Sequence, residues 1–158
     1  MRCPYIYDDG GRAQAGFRGT TGDCVVRAIA IATRRPYSEV YEQMNTLALA
    51  IEGPKARARG ELSNSRTGVR REVYERYLKN RGWRWVPCVT IGSGCKVHLR
   101  PDELPGGVII ARLSKHICCV EDGVIRDIFN PSREGTRCVY GYFIHSDPEY
   151  GHNREEAQ

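Results

Sequence analysis

Residues 116–129 read HICCVEDGVIRDIF, two β-favouring runs that meet at a Glu-Asp-Gly turn signal. With Asp122 and Gly123 as the two turn residues, Glu121 faces Val124, Cys118 faces Asp127 and His116 faces Phe129. Side chains alternate between the faces of a strand, so Cys118 and Asp127 then share the face of His116. The register places an imidazole and a carboxylate one diagonal step apart, at the end of an antiparallel hairpin.

Further short runs rich in β-formers flank this hairpin: WRWVPCVTI (83–91), CKVHL (95–99), GVIIARLS (107–114) and CVYGYFIH (138–145), separated by Gly, Pro, Asp and Ser. Toward the amino terminus the periodicity changes. CVVRAIAIAT (24–33) is apolar almost all round and follows the turn-forming TTGD (20–23), so it reads as a buried helix starting at Cys24. A second helix is expected from about Ser38 to Ala50, where Val40, Tyr41, Met44, Leu47 and Leu49 recur after Pro36, ending near Gly53. GPKARARGELSN (53–64) has the composition of an exposed, mobile loop bordering a substrate groove. Thr67 reads as the cap of a third helix through about Asn80, with Val69, Val73, Tyr74 and Leu78 on one face and Gly82 as the stop. Helices first and strands afterwards predict an α+β fold, with amino-terminal helices packed on a carboxy-terminal antiparallel sheet. A chain of 158 residues suits a single domain, 1–150, followed by a polar tail, 151–158.

The charge is +5 with a pI near 8.9, yet the arginines are dispersed. The densest group, Arg57, Arg59, Arg66, Arg70 and Arg71, reads as a solvated helix face, with nucleic-acid binding as the alternative. No apolar run approaches the roughly 20 residues needed to span a bilayer, so no membrane partner is expected. Met1–Gly11 carries Asp8 and Asp9 and lacks the basic and apolar parts of a signal peptide, which points to the cytoplasm. In that reducing compartment the seven cysteines, Cys3, Cys24, Cys88, Cys95, Cys118, Cys119 and Cys138, are expected as free thiols. None forms a C-x-x-C pair, and only Cys88, Cys95 and His98 offer a minor zinc alternative. Neither a metal nor a cofactor is expected.

A thiol attacks a carbonyl as its thiolate, which a helix amino terminus and a nearby imidazolium both favour. Cys24 occupies such a terminus, its N–H can form part of an oxyanion hole, and Gly19 and Gly22 let the backbone turn there. The base must be one of His98, His116, His145 and His152. His116 has the hairpin context and Asp127 as a partner to orient its ring. Asn130, just beyond the strand and before Pro131, competes for that role if the turn length differs. Substrate contact is expected from Ile51–Asn64, Trp83, Trp85 and the IGSGC loop, 91–95.

With these residues the chain resembles the papain-like cysteine peptidase superfamily, in which Cys on the first core helix precedes His and then Asn or Asp on the sheet. TGDCVVRAIAIA (21–32) resembles the D-G-N-C-L-F-R-A-I motif of ovarian-tumour-type deubiquitinases at Gly22, Cys24, Arg27, Ala28 and Ile29. It is also similar to the D-C-G-x-A motif of leader peptidases attached to bacteriocin exporters, and to small uncharacterised proteins of bacteriophages and bacteria. The resemblance implies a papain-like fold and hydrolysis of an amide, peptide or isopeptide bond by Cys24, His116 and Asp127 or Asn130, with a protein or peptide as partner. Thr21 stands where the deubiquitinase motif has aspartate, and Arg18 stands where papain and its relatives have glutamine. The second oxyanion donor is thus sought among Thr20, Thr21, the backbone of Asp23, and Gln14. An inactive papain-like protein that binds a host or defence protein is the alternative this departure leaves open.

Overall fold

The computed structural model describes residues 3–19, 21–59 and 62–151. Its elements, in chain order, are β1 (Tyr5–Tyr7), α1 (Cys24–Thr33), α2 (Tyr37–Arg59), α3 (Arg71–Lys79), β2 (Trp83–Pro87), β3 (Val108–Leu113), β4 (His116–Glu121), β5 (Val124–Asp127) and β6 (Gly141–His145), with short 3-10 turns at Pro101–Glu103 and Pro148–Tyr150. The fold is α+β. Among the described residues the strands form one six-stranded sheet in the order β1-β5-β4-β3-β6-β2.

The hairpin adopts the expected register, Glu121 opposite Val124 and Cys119 opposite Arg126, around a turn in which Asp122 and Gly123 take φ of 49° and 79°. β3 meets β4 through a second tight turn at Ser114–Lys115, which places His116 directly opposite Leu113 at the open end of the sheet. Both sheet faces are covered, and for that reason β3, VIIARL, reads as a continuous apolar run without alternation. Val26 and Ile29 of α1 pack on one face with Ile110, Ile117, Cys119 and Phe143. On the other, Leu99 and Val139 from loops cover Ile109, Cys118, Val120 and Ile125.

Several expectations are corrected. The sheet is mixed: β1 runs parallel to β5, with Tyr7 beside Asp127. The second helix continues through Gly53 and Pro54 to Arg59, so the expected loop begins later than its composition implied. The third helix starts at Arg71, and Thr67 belongs to a turn in which Asn64 and Gly68 pair through both backbone bonds at 3.0 Å. The Asn64 side chain accepts from the N–H groups of Arg66 and Thr67, which holds that turn closed. CKVHL supplies a single bridge, His98 to Cys138, instead of a strand. Cys95 and Cys138 form a disulfide with Cα atoms 5.8 Å apart, which corrects the expectation of seven free thiols and removes Cys95 from any zinc set. No helix among the described residues is long and apolar enough to cross a membrane. Of the expected tail, 152–158 lies outside the described residues.

Candidate active site

Cys24 opens α1 because Gly22 lets the preceding chain press against another segment. The Gly22 N–H donates to the Arg66 carbonyl at 2.8 Å, and a Cβ on Gly22 would lie 2.6 Å from the Thr67 carbonyl oxygen. The Asn64–Gly68 turn is thereby fixed beside the nucleophile candidate. Asp23, at the helix cap position, makes no side-chain cap. Its carboxylate is fully buried and engaged elsewhere, accepting from the Tyr37 hydroxyl at 2.6 Å and from the Arg27 guanidinium, with Arg12 at 3.6 Å. Burial, followed by the hydrogen bond to Asp23, pushes the Tyr37 phenol well above its ordinary range.

Arg27 explains why one charged residue stands in an otherwise apolar helix. Its second nitrogen lies 3.4 Å from Asp127 Oδ1, so a buried guanidinium joins the start of α1 to the end of β5. A buried cation is tolerated when carboxylates compensate it on both sides. Asp127 is oriented further by the Ile128 N–H, which donates to Oδ1 at 2.7 Å, and by the Asp8 N–H, which donates to its carbonyl at 2.9 Å.

The free oxygen of Asp127, Oδ2, meets His116 Nε2 at 2.6 Å, with the two side chains 3% and 9% exposed. The Phe129 ring packs on the imidazole with centroids 5.1 Å apart. Burial opposes protonation of His116, but hydrogen bonds to Asp127 and to Cys24 outweigh it and push the pKa up to about 9. With Nε2 engaged by Asp127, Nδ1 is the ring nitrogen left for the thiol. The arrangement can hold an imidazolium beside a half-exposed sulfur, oriented from behind by a carboxylate.

Cys24 and His116 line a cleft of about 470 Å³. Thr67, Gly68 and Val69 from the turn, Leu113, Ser114 and Lys115 from the β3–β4 connection, and Arg71, Tyr74, Arg112 and Tyr140 also line it. Asn130 is turned away, donating to the Cys3 carbonyl at 3.4 Å and accepting from the Ser132 N–H at 3.0 Å. His98 meets Glu103 and His145 donates to the Arg81 carbonyl, while His152 lies outside the described residues. Gln14 is exposed on the loop after β1 and does not line the cleft. The Thr21 hydroxyl is buried without a hydrogen-bond partner among the described residues, and Thr20 lies outside them.

The expected substrate contacts are displaced. Among the described residues, none of Ile51–Asn64 lines the cleft, nor does the 91–95 loop; Trp83 is core, and Trp85, packed against the core, does not line the cleft. Of the arginine group, Arg70 pairs with Glu52, Arg71 with Glu75, and Arg66 donates to the Arg18 carbonyl, while the side chains of Arg57 and Arg59 lie outside the described residues. Sequence reasoning missed Arg112 and Lys115 as cleft residues, and no local signal marks them, since only the folded loops bring them to Cys24. The lone arginine in CVVRAIAIAT was a usable signal for the Arg27 bridge. Among the described residues, no group of His, Cys, Asp and Glu is arranged to hold a metal ion. No protein-family model matches the chain, and no curated protein and no solved structure matches it.

Proposed function

We propose that the protein is a papain-like cysteine hydrolase that cleaves an amide, peptide or isopeptide bond. The observation that carries this reading is the His116 Nε2 to Asp127 Oδ2 hydrogen bond of 2.6 Å, made by an imidazole that also interacts with Cys24 at the start of α1. In the proposed reaction the Cys24 proton passes to His116, and the thiolate adds to the carbonyl carbon. The tetrahedral intermediate expels the amine, which takes the proton from His116, leaving a thioester. Water then adds, giving its proton to His116, and the acid is released with the thiol restored. The N–H groups at the uncapped start of α1 are the donors available to the oxyanion.

Alkylation by iodoacetamide at neutral pH, read residue by residue by mass spectrometry, tests the pair. Cys24 is expected to react ahead of the other thiols, and the preference is expected to vanish in His116→Ala. Burial pushes the Cys118 and Cys119 thiols up, so they supply internal references. Cys24 staying inert, or reacting equally fast without His116, would overturn the reading.

A second reading, a papain-like protein that binds without cutting, is favoured by one observation. Among the described residues, neither Gln14 nor Thr21 lines the cleft, so neither of these expected side-chain donors to the oxyanion stands with Cys24 there. Strong His116-dependent labelling with no turnover of any peptide would support it.

A further inference from the structure

We infer that the cleft selects an acidic peptide, one with a carboxylate side chain within a residue or two of the scissile carbonyl; this rests on the hydrolase reading above. Among the described residues, those lining the cleft include the cations Arg71, Arg112 and Lys115 and no aspartate or glutamate. Elsewhere on the molecule arginines are commonly neutralised by carboxylates: Arg12 and Arg27 by Asp23, Arg35 by Glu39, Arg100 by Asp102, Arg126 by Asp8 and Glu121. Arg71 is partly committed in the same way, to Glu75. Among the described residues, Arg112 and Lys115 make no ion pair.

Arg112 is held in place, and Lys115 is placed by its backbone. Arg112 lies in β3, opposite Gly141, with its guanidinium 5.8 Å from the centre of the Trp85 ring, and Arg71 approaches the same ring at 5.5 Å. Stacking on an indole fixes the direction of a guanidinium without consuming its hydrogen-bond donors. Lys115 is the last residue of the β3–β4 turn, held at φ 55°, and immediately precedes His116. Both cations therefore line the same cleft as Cys24 and His116, so a carboxylate flanking the scissile bond can meet them while its carbonyl is over Cys24. A cationic side chain in the same place meets like charge, so the pattern also rejects basic peptides.

The test uses matched peptidyl vinyl sulfones that differ only in Glu, Gln or Lys at the residue before the warhead, with the rate of Cys24 labelling as readout. The Glu probe is expected to label about tenfold faster than its Gln isostere, as a charge-assisted hydrogen bond allows, and the Lys probe slowest. Salt should erode the preference. Lys115→Gln, on an exposed turn, and Arg112→Gln should each shrink it, and Arg112→Lys should retain most of it. Equal Glu and Gln rates, or a preference indifferent to both Gln variants, would overturn the inference. If Cys24 still reacts with iodoacetamide in a His116-dependent way, only the selectivity has failed. If it is inert to every reagent, the hydrolase reading falls and takes this inference with it. Protection of Cys24 by a short oligonucleotide, and not by a glutamate peptide, would overturn the assignment in favour of nucleic-acid phosphates.

Discussion

His116 binds its proton more tightly than a free imidazole, with a pKa of about 9 against an ordinary value of 6.5, because its contacts with Asp127 and Cys24 outweigh the burial that opposes charge. Between those values the folded state keeps a proton that the unfolded chain has released, so stability falls as pH rises. The contribution is complete below about pH 6.5 and is lost through about pH 9. Asp127→Asn should flatten that slope in urea midpoints measured across pH, and should draw the alkaline edge of peptide turnover below 9, since that edge follows loss of the imidazolium. A slope unchanged in the variant would locate its origin elsewhere. This pair was legible in the sequence because a Asp-Gly turn admits one favoured register, and register alone brings Asp127 to His116. The choice of Asp127 over Asn130 needed the folded chain, since Asn130 closes its own turn at Ser132.

At the scale of elements, the Asn64–Gly68 turn and α1 meet through Gly22. Adding a Cβ there drives it into the Thr67 carbonyl, so Gly22→Ala should cost about 1–3 kcal/mol of stability, as overpacking does, and should lower kcat/KM by displacing the cleft wall. Urea denaturation and peptide turnover measure the two effects, and a variant with wild-type stability would show that the turn yields freely. α1 was read with its observed bounds because its composition admits no surface face. α2 was cut short because an adjacent Gly53 and Pro54 and a polar continuation look alike in a helix and in a loop. Thr67 misled for a related reason: a threonine before apolar residues signals a cap only if the helix follows at once, and here three residues intervene before Arg71. β1 escaped notice because YIY is too short to show a period, and its pairing with β5 depends on contacts remote in the chain.

Across the whole molecule, the Cys95–Cys138 bond ties the chain between β2 and β3 to the segment that leads into β6, over a sequence separation of 43 residues. Closing a loop of that length in the unfolded chain is worth about 4 kcal/mol, so Cys95→Ser should lower stability by up to that amount. Reductant should weaken the wild type alone, and equal sensitivity in Cys95→Ser would assign the effect to another thiol. That pairing was not legible because the compartment inferred from Met1–Gly11 argued for free thiols, and spacing alone does not pair cysteines. β1 bears on the molecule in another way. It lies against the strand that carries Asp127, although the two strands are remote in sequence, Tyr5 pairing with Ile125. During synthesis the thiol-bearing helix emerges before the imidazole, the carboxylate and the partner that β1 awaits. A growing polypeptide on the ribosome therefore holds no assembled site, and whatever chemistry the protein performs is withheld until the hairpin that ends at Asp127 has emerged.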